Sequence, residues 1–235
     1  MSHADADTAT FPVIVVDDHQ LVGSAVVMAL RGRGWQAVEC PVSATADVLR
    51  YADELSPGLA LLDLDLGTGL RGEPIDELEL LVGLRARGWS VLVVSAATDE
   101  SRIAAAIAAG ATGYLPKGAS LAELLGAISA VAAGRPLLCS AEQARWHDID
   151  KRSRNRQRQD HRRWRRLTGR ELEVLECLAR GDRAAAIAEQ FQVSLTTVRA
   201  QIRSIHTKLD VNSQLEAVAL LRRVQPTLPP SGRQS

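Results

Sequence analysis

Between Phe11 and about Ala133 the chain alternates short apolar runs with longer stretches of mixed polarity. The runs are PVIVVD (12–17), LALLDL (59–64), SVLVVS (90–95) and the shorter TGYL (112–115), with a weaker WQAVE at 35–39. The strong runs are apolar throughout rather than alternating, the pattern of strands covered on both faces and so of a parallel sheet. The intervening stretches 20–32, 44–54, 75–87, 99–109 and 119–133 each have the length of a helix. Five strands and five helices in alternation predict a doubly wound α/β domain, with its functional groups at the carboxyl ends of the strands.

From Leu167 to Arg223 the apolar period is helical throughout, and four helices fit, roughly 168–179, 183–191, 195–209 and 212–223. The stretch 139–166 interrupts both patterns. It contains WHDIDKRSRNRQRQDHRRWRR, which has no apolar periodicity, and it reads as a basic linker, part-helical when bound. The tail VQPTLPPSGRQS has three prolines and is expected to be disordered. The predicted division is a first domain at 11–138, the linker at 139–166, an all-α domain at 167–224 and the tail at 225–235.

Charge sharpens this division. The net charge is zero over the whole chain, but residues 1–144 hold 9 basic and 18 acidic side chains and residues 145–235 hold 19 and 10. An acidic body is joined to a basic one, and the basic one has the sign that suits nucleic acid. An apolar content of 46% excludes a disordered chain. No apolar run approaches the ~20 residues that span a bilayer, and MSHADADTAT has no features of a secretory signal. A cytoplasmic protein with no membrane partner is expected. Cys40, Cys139 and Cys177 show neither metal nor disulfide spacing and read as ordinary buried thiols.

The strand ends carry the candidate chemistry. The first strand ends in Asp17-Asp18, the third in Asp63 and the fourth in Ser95, and Lys117 follows the fifth. A parallel sheet brings these ends to one edge. Three carboxylates repel one another unless a cation joins them, and hard oxygen ligands suit Mg²⁺. Such a site can hold a phosphoryl group on one carboxylate, with Lys117 and the metal neutralising its oxygens and Ser95 donating to one. Taken singly, an aspartate at such a junction is often only a helix cap, and a lone lysine is usually solvated. The joint occurrence is the signal.

In the second domain Val198, Ile202, Ile205 and Leu209 recur at intervals of 4, 3 and 4, one apolar stripe with Ser194 placed as N-cap. The opposite side displays Thr196, Arg203 and Thr207, with Ala200 between them and Arg199 on a flank. Small and basic side chains there allow close approach to a groove and contact with base edges, and Lys208, farther round, suits phosphate. The short helix before it and the turn FQVS make a helix-turn-helix. A four-helix module with a solvated basic face is the plainer reading.

VIVVDDHQLV, LALLDLDL, VLVVSA and GATGYLPKG together resemble the receiver domain of a two-component response regulator, over nearly all of residues 11–133. The resemblance implies a flavodoxin-like sheet and a phosphoacceptor Asp63 served by a sensor histidine kinase. It implies Mg²⁺ held by Asp18 and Asp63, with the backbone carbonyl of Asp65 and a water-mediated Asp17. Ser95 and Lys117 would read the phosphoryl group and Tyr114 would be an aromatic switch. Two departures stand out: LDLGTGLRGEPIDELELL after Asp63 is long and lacks the early proline, and a proline precedes Lys117.

LTGRELEVLECLARG and IAEQFQVSLTTVRAQIRSIHTKLDVNSQLEAVAL resemble the LuxR-type helix-turn-helix of the NarL/FixJ class over 167–221. Thr197, Arg199, Ala200 and Arg203 then fall on positions that contact double-stranded DNA. Leu215, Val218 and Leu221 fall on the helix the class uses to dimerise. Ala185 and Gln201 replace residues that are commonly basic and histidine. The implied protein is a transcription regulator that forms a homodimer on activation, not an enzyme beyond its own phosphorylation and dephosphorylation. Two alternatives remain: LLDLDLGTG resembles the DxDx(T) motif of Mg-dependent phosphohydrolases, and the receiver can serve as a phosphorylation-independent dimerisation module. Chain order opposes the first, because Asp17-Asp18 precede Asp63 and Lys117 and the threonine is one place late at Thr68.

For the linker, ten basic residues between Arg145 and Arg166 face three acids. A solvated tether, an arm along DNA phosphates and a segment resting on the acidic receiver are the three readings, and the arm is preferred.

Overall fold

A computed structural model of the chain describes residues 11–67, 74–96 and 99–224. The expected tail at 225–235 and Thr68 lie outside the described residues, as does part of the long segment after Asp63. The chain divides into two compact units, Met1–Lys151 and Arg152–Ser235.

The first unit contains strands β1 (Pro12–Val16), β2 (Gln36–Glu39), β3 (Leu59–Leu62), β4 (Ser90–Ser95) and β5 (Gly113–Pro116). They form one parallel sheet in the order β2-β1-β3-β4-β5. Helices α1 (Gln20–Arg31), α2 (Thr45–Asp53), α3 (Glu77–Ala86), α4 (Glu100–Ala108) and α5 (Leu121–Ala132) alternate with the strands. Two apolar layers cover the sheet. Ile14, Val16, Leu62 and Val93 pack with α2, α3 and α4 residues such as Val48, Leu80 and Ile103. Val13, Val15, Leu61 and Leu92 pack on the other side with Val27, Leu30 and Ile128 of α1 and α5. Burial on both faces is why these strands are apolar at every position. The register sets Val16 beside Leu62, Leu62 beside Val93 and Ser95 beside Pro116, so the strand ends reach a common edge.

The segment read as a linker is a helix, α6 (Ser140–Trp164), 25 residues long. It has no glycine or proline and is rich in Arg and Gln, which are good helix formers. Glu142 in its first turn accepts from the Cys139 amide at 2.9 Å, and His161, Arg162 and Arg163 occupy its last turn, charges that favour each end. Local propensity thus forms a helix where apolar periodicity gives no sign of one. In the first unit Trp146 of α6 packs against the core layer beneath α2–α4.

The second unit contains α7 (Gly169–Arg180), α8 (Ala184–Gln190), α9 (Leu195–Leu209) and α10 (Gln214–Val224). Val174, Leu175, Ile187, Val198, Ile205 and Leu221 lie in one core, against which Trp164 packs from the end of α6. Two ion pairs tie α6 down here: Asp160 to Arg223 Nε at 2.9 Å and Arg163 Nη2 to Asp210 at 2.7 Å.

Two further expectations are corrected. Cys139 is exposed because it sits just before α6; Cys40 and Cys177 are buried, and burial pushes the Cys40 thiol up to about 12. Val218 and Leu221 do not form a free face with Leu215. Both are buried in the core, whereas Leu215 is 79% exposed. Steps of three fall short of a full helical turn by about 60° each, so Leu215 and Leu221 point to different sides. The outward stripe of α10 is Leu215, Ala219 and Arg222. No helix among the described residues is long and apolar enough to cross a membrane.

Candidate functional site

At the sheet edge Asp17, Asp18, His19 and Asp63 each bring a ligand atom within 4.8 Å of the others. Asp63 follows β3 and is 2% exposed. Lys117, just past β5, reaches Asp17 Oδ2 and Asp63 Oδ2 at 2.9 Å each, so the proline before it does not displace it. Burial pushes the Lys117 pKa down, but bonds to Asp17 and Asp63 outweigh it and the net shift is upward. Asp63 Oδ1 is buried and has no hydrogen-bond donor. An orphaned carboxylate oxygen beside two further carboxylates is a costly arrangement, and a bound cation relieves it. The donor set fits a hard divalent ion.

Gly67 adds to the fit. Its φ is +57°, and a β-carbon there would lie 3.3 Å from Asp18 Oδ2, so the bare backbone lets the loop approach the acidic cluster. Asp17 and Asp18 line a cleft of about 510 Å³ with Ser24 and Glu39, while Asp17, Asp63 and Lys117 line another of about 180 Å³. Ser95 is fully buried at the end of β4, and Tyr114 on β5 is half-buried against the core.

Sequence reasoning missed Arg102. From α4 it donates to Asp65 Oδ1 at 2.7 Å and to the Leu64 carbonyl, and lies 3.5 Å from Glu77. Burial lowers its pKa, but Asp65 and Glu77 outweigh this and raise it. Asp65 therefore has its Oδ1 engaged by Arg102. His19, at the start of α1, was also missed; its Nδ1 lies 2.8 Å from Asp18. For Arg102 the separation of 37 residues from Asp65 leaves no local signal.

In the second unit Ser194 caps α9, accepting from the Thr197 amide at 3.0 Å. Thr196, Thr197, Arg199, Ala200, Arg203 and Thr207 are exposed, whereas Val198, Ile205 and Leu209 are buried. Arg199 and Arg203 have no ion-pair partner among the described residues. Gln192, in the turn between α8 and α9, takes φ +53°. Lys208, expected to face phosphate, instead binds Glu171 at 2.8 and 2.7 Å. Glu171 is 6% exposed, and a buried carboxylate without a cation would be costly, which is why the nearest ammonium is drawn in.

Residues 13–129 match the response regulator receiver domain, and residues 165–221 match the luxR family of bacterial regulatory proteins. The chain is 31% identical over 218 residues to the nitrate/nitrite response regulator protein NarP of Escherichia coli, covering 91% of this chain and 95% of that one. The chain belongs to the NarL/FixJ class of response regulators.

This response regulator is also 29% identical over 213 residues to the transcriptional regulatory protein LiaR of Bacillus subtilis, covering 90% and 96%. Among solved structures, the RcsB response regulator of Salmonella typhimurium aligns with a TM-score of 0.48 and 19% identity, covering 91% and 98%. The response regulator is a phosphorylation-controlled transcription regulator, of a family whose members are non-enzymatic transcription factors.

Proposed function

We propose that Asp63 is the phosphoacceptor, taking a phosphoryl group from the phosphohistidine of a sensor kinase. The observation that carries this is the buried Asp63 carboxylate, held by Lys117 on one oxygen and undonated on the other. An Asp63 oxygen attacks phosphorus, the P–N bond breaks and the leaving imidazole takes a proton. Lys117 neutralises a phosphoryl oxygen, Ser95 donates to another, and Tyr114 follows Ser95 as the switch. Asp18, Asp63 and the carbonyl of Asp65 would hold Mg²⁺, with Asp17 acting through water. When bound, the ion supplies cancellation of carboxylate repulsion and stabilisation of the transferring charge.

Phosphorylation then favours a homodimer whose two α9 helices enter major grooves of double-stranded DNA about one helical turn apart. Thr196, Thr197, Arg199, Ala200 and Arg203 are placed to reach base edges. On α10 only Leu215 of the expected dimer residues remains available.

Exposure to acetyl phosphate and Mg²⁺ should add one phosphoryl group by intact mass, and Asp63→Asn should abolish it. The same samples in light scattering should show a larger mass for the phosphorylated protein alone. Labelling of Asp63→Asn at the wild-type rate would refute the assignment.

A further inference from the structure

Residues 152–166 hold eight arginines and one acid, Asp160. That acid is buried and bonded to Arg223, so it does not offset the charge outside. On α6 the docked residues Asp160, Arg163 and Trp164 cluster on one side. At about 100° per residue Arg158 and Arg162 fall on the opposite side, as does Arg165, one residue past the helix and still held in its last turn by its amide bond to the His161 carbonyl. All three are exposed, and they recur at spacings of four and three. Like charges at such spacing destabilise a helix, yet no acid on this stretch relieves them. A stripe of fixed cations with no counter-charge on its own face is a site for a polyanion.

Its attachment says which one. Arg163 bonds Asp210, the residue that caps the C-terminal end of α9, and Asp160 bonds α10. The stripe is therefore fixed to the same unit as the reading helix rather than trailing from it. We propose that Arg158, Arg162 and Arg165 form a second DNA-binding surface that grips backbone phosphates flanking the site read by α9. The inference rests on the reading of this unit as DNA-binding. Planar guanidinium forks suit phosphate oxygens, and such contacts give affinity without sequence information.

The test uses the full-length chain and a random-sequence duplex of three helical turns, with binding measured across a salt series. Replacing Arg158, Arg162 and Arg165 together by Gln, also a good helix former, keeps the helix; circular dichroism checks this. The log–log salt slope should become shallower by about 2.7, or about 0.9 for each single replacement. Replacement of all three by Lys should keep most of the slope. An unchanged slope overturns the proposal. Tighter binding by the Gln variant overturns it too, and shows instead a stripe that rests on an acidic protein surface. Wild-type protein that binds no duplex at any salt refutes the DNA-binding reading itself, which is a different result.

Discussion

Asp63 in the first unit and Glu171 in the second are both buried carboxylates beside a lysine, and the two are treated in opposite ways. Glu171 is saturated: Ser204 and Lys208 bond Oε1, while Lys208 and the Thr168 amide and hydroxyl bond Oε2. Asp63 receives Lys117 on Oδ2 and no donor on Oδ1. A buried carboxylate with every lone pair engaged is part of the scaffold. One left short at a cleft edge is stability forgone, which is where a reacting group belongs. Burial pushes the Glu171 pKa up, but Lys208, Ser204 and Thr168 outweigh it and bring it down to about 2.

Neutralising each carboxylate should separate the two most widely. Glu171→Gln should destabilise the second unit by about 3 kcal/mol, the free-energy equivalent of its shift, whereas Asp63→Asn should cost less than about 1 kcal/mol. Denaturant melts followed unit by unit check this, and equal losses would erase the distinction. Because the folded pKa of Glu171 is depressed, its contribution is complete above its ordinary value of 4.5 and is lost as pH falls toward about 2. The second unit of wild type should therefore weaken through that window, and Glu171→Gln should flatten the dependence.

Mg²⁺ sharpens the contrast from the other side. It should stabilise the first unit by about 2.7 kcal/mol at a hundredfold excess over Kd, and the second by nothing. Asp18→Ala should remove the effect, read as a Tm shift in scanning calorimetry.

The smallest effect concerns Arg102. Arg102→Gln should weaken Mg²⁺ affinity about tenfold by releasing Asp65 and the Leu64 carbonyl, with little change in metal-free stability. Isothermal titration reads it, and unchanged affinity would restrict Arg102 to surface packing.

The strands and the acidic edge were legible because burial on both faces writes itself as unbroken apolar runs, and a parallel sheet gathers their ends. The reading helix was legible through Val198, Ile202, Ile205 and Leu209. Helix α6 was not, because its docked side uses Asp160, Arg163 and Trp164 instead of an apolar stripe. Lys208 looked like a phosphate contact because its partner Glu171 lies 37 residues away in sequence. The outward face of α10 is not legible from Leu215, Val218 and Leu221, because a spacing of three looks regular in sequence but rotates around the helix.

Glu171 also joins the N-terminal turn of α7 to the last turns of α9, through Thr168 on one side and Ser204 and Lys208 on the other. The orientation of α9 is thus set from its inner side. Thr196, Arg199, Ala200 and Arg203 take no part in that attachment and stand exposed on the outer side. The proposed DNA contacts and the support of the helix thus fall to separate side chains, so exchanging these four positions leaves the Glu171 attachment in place.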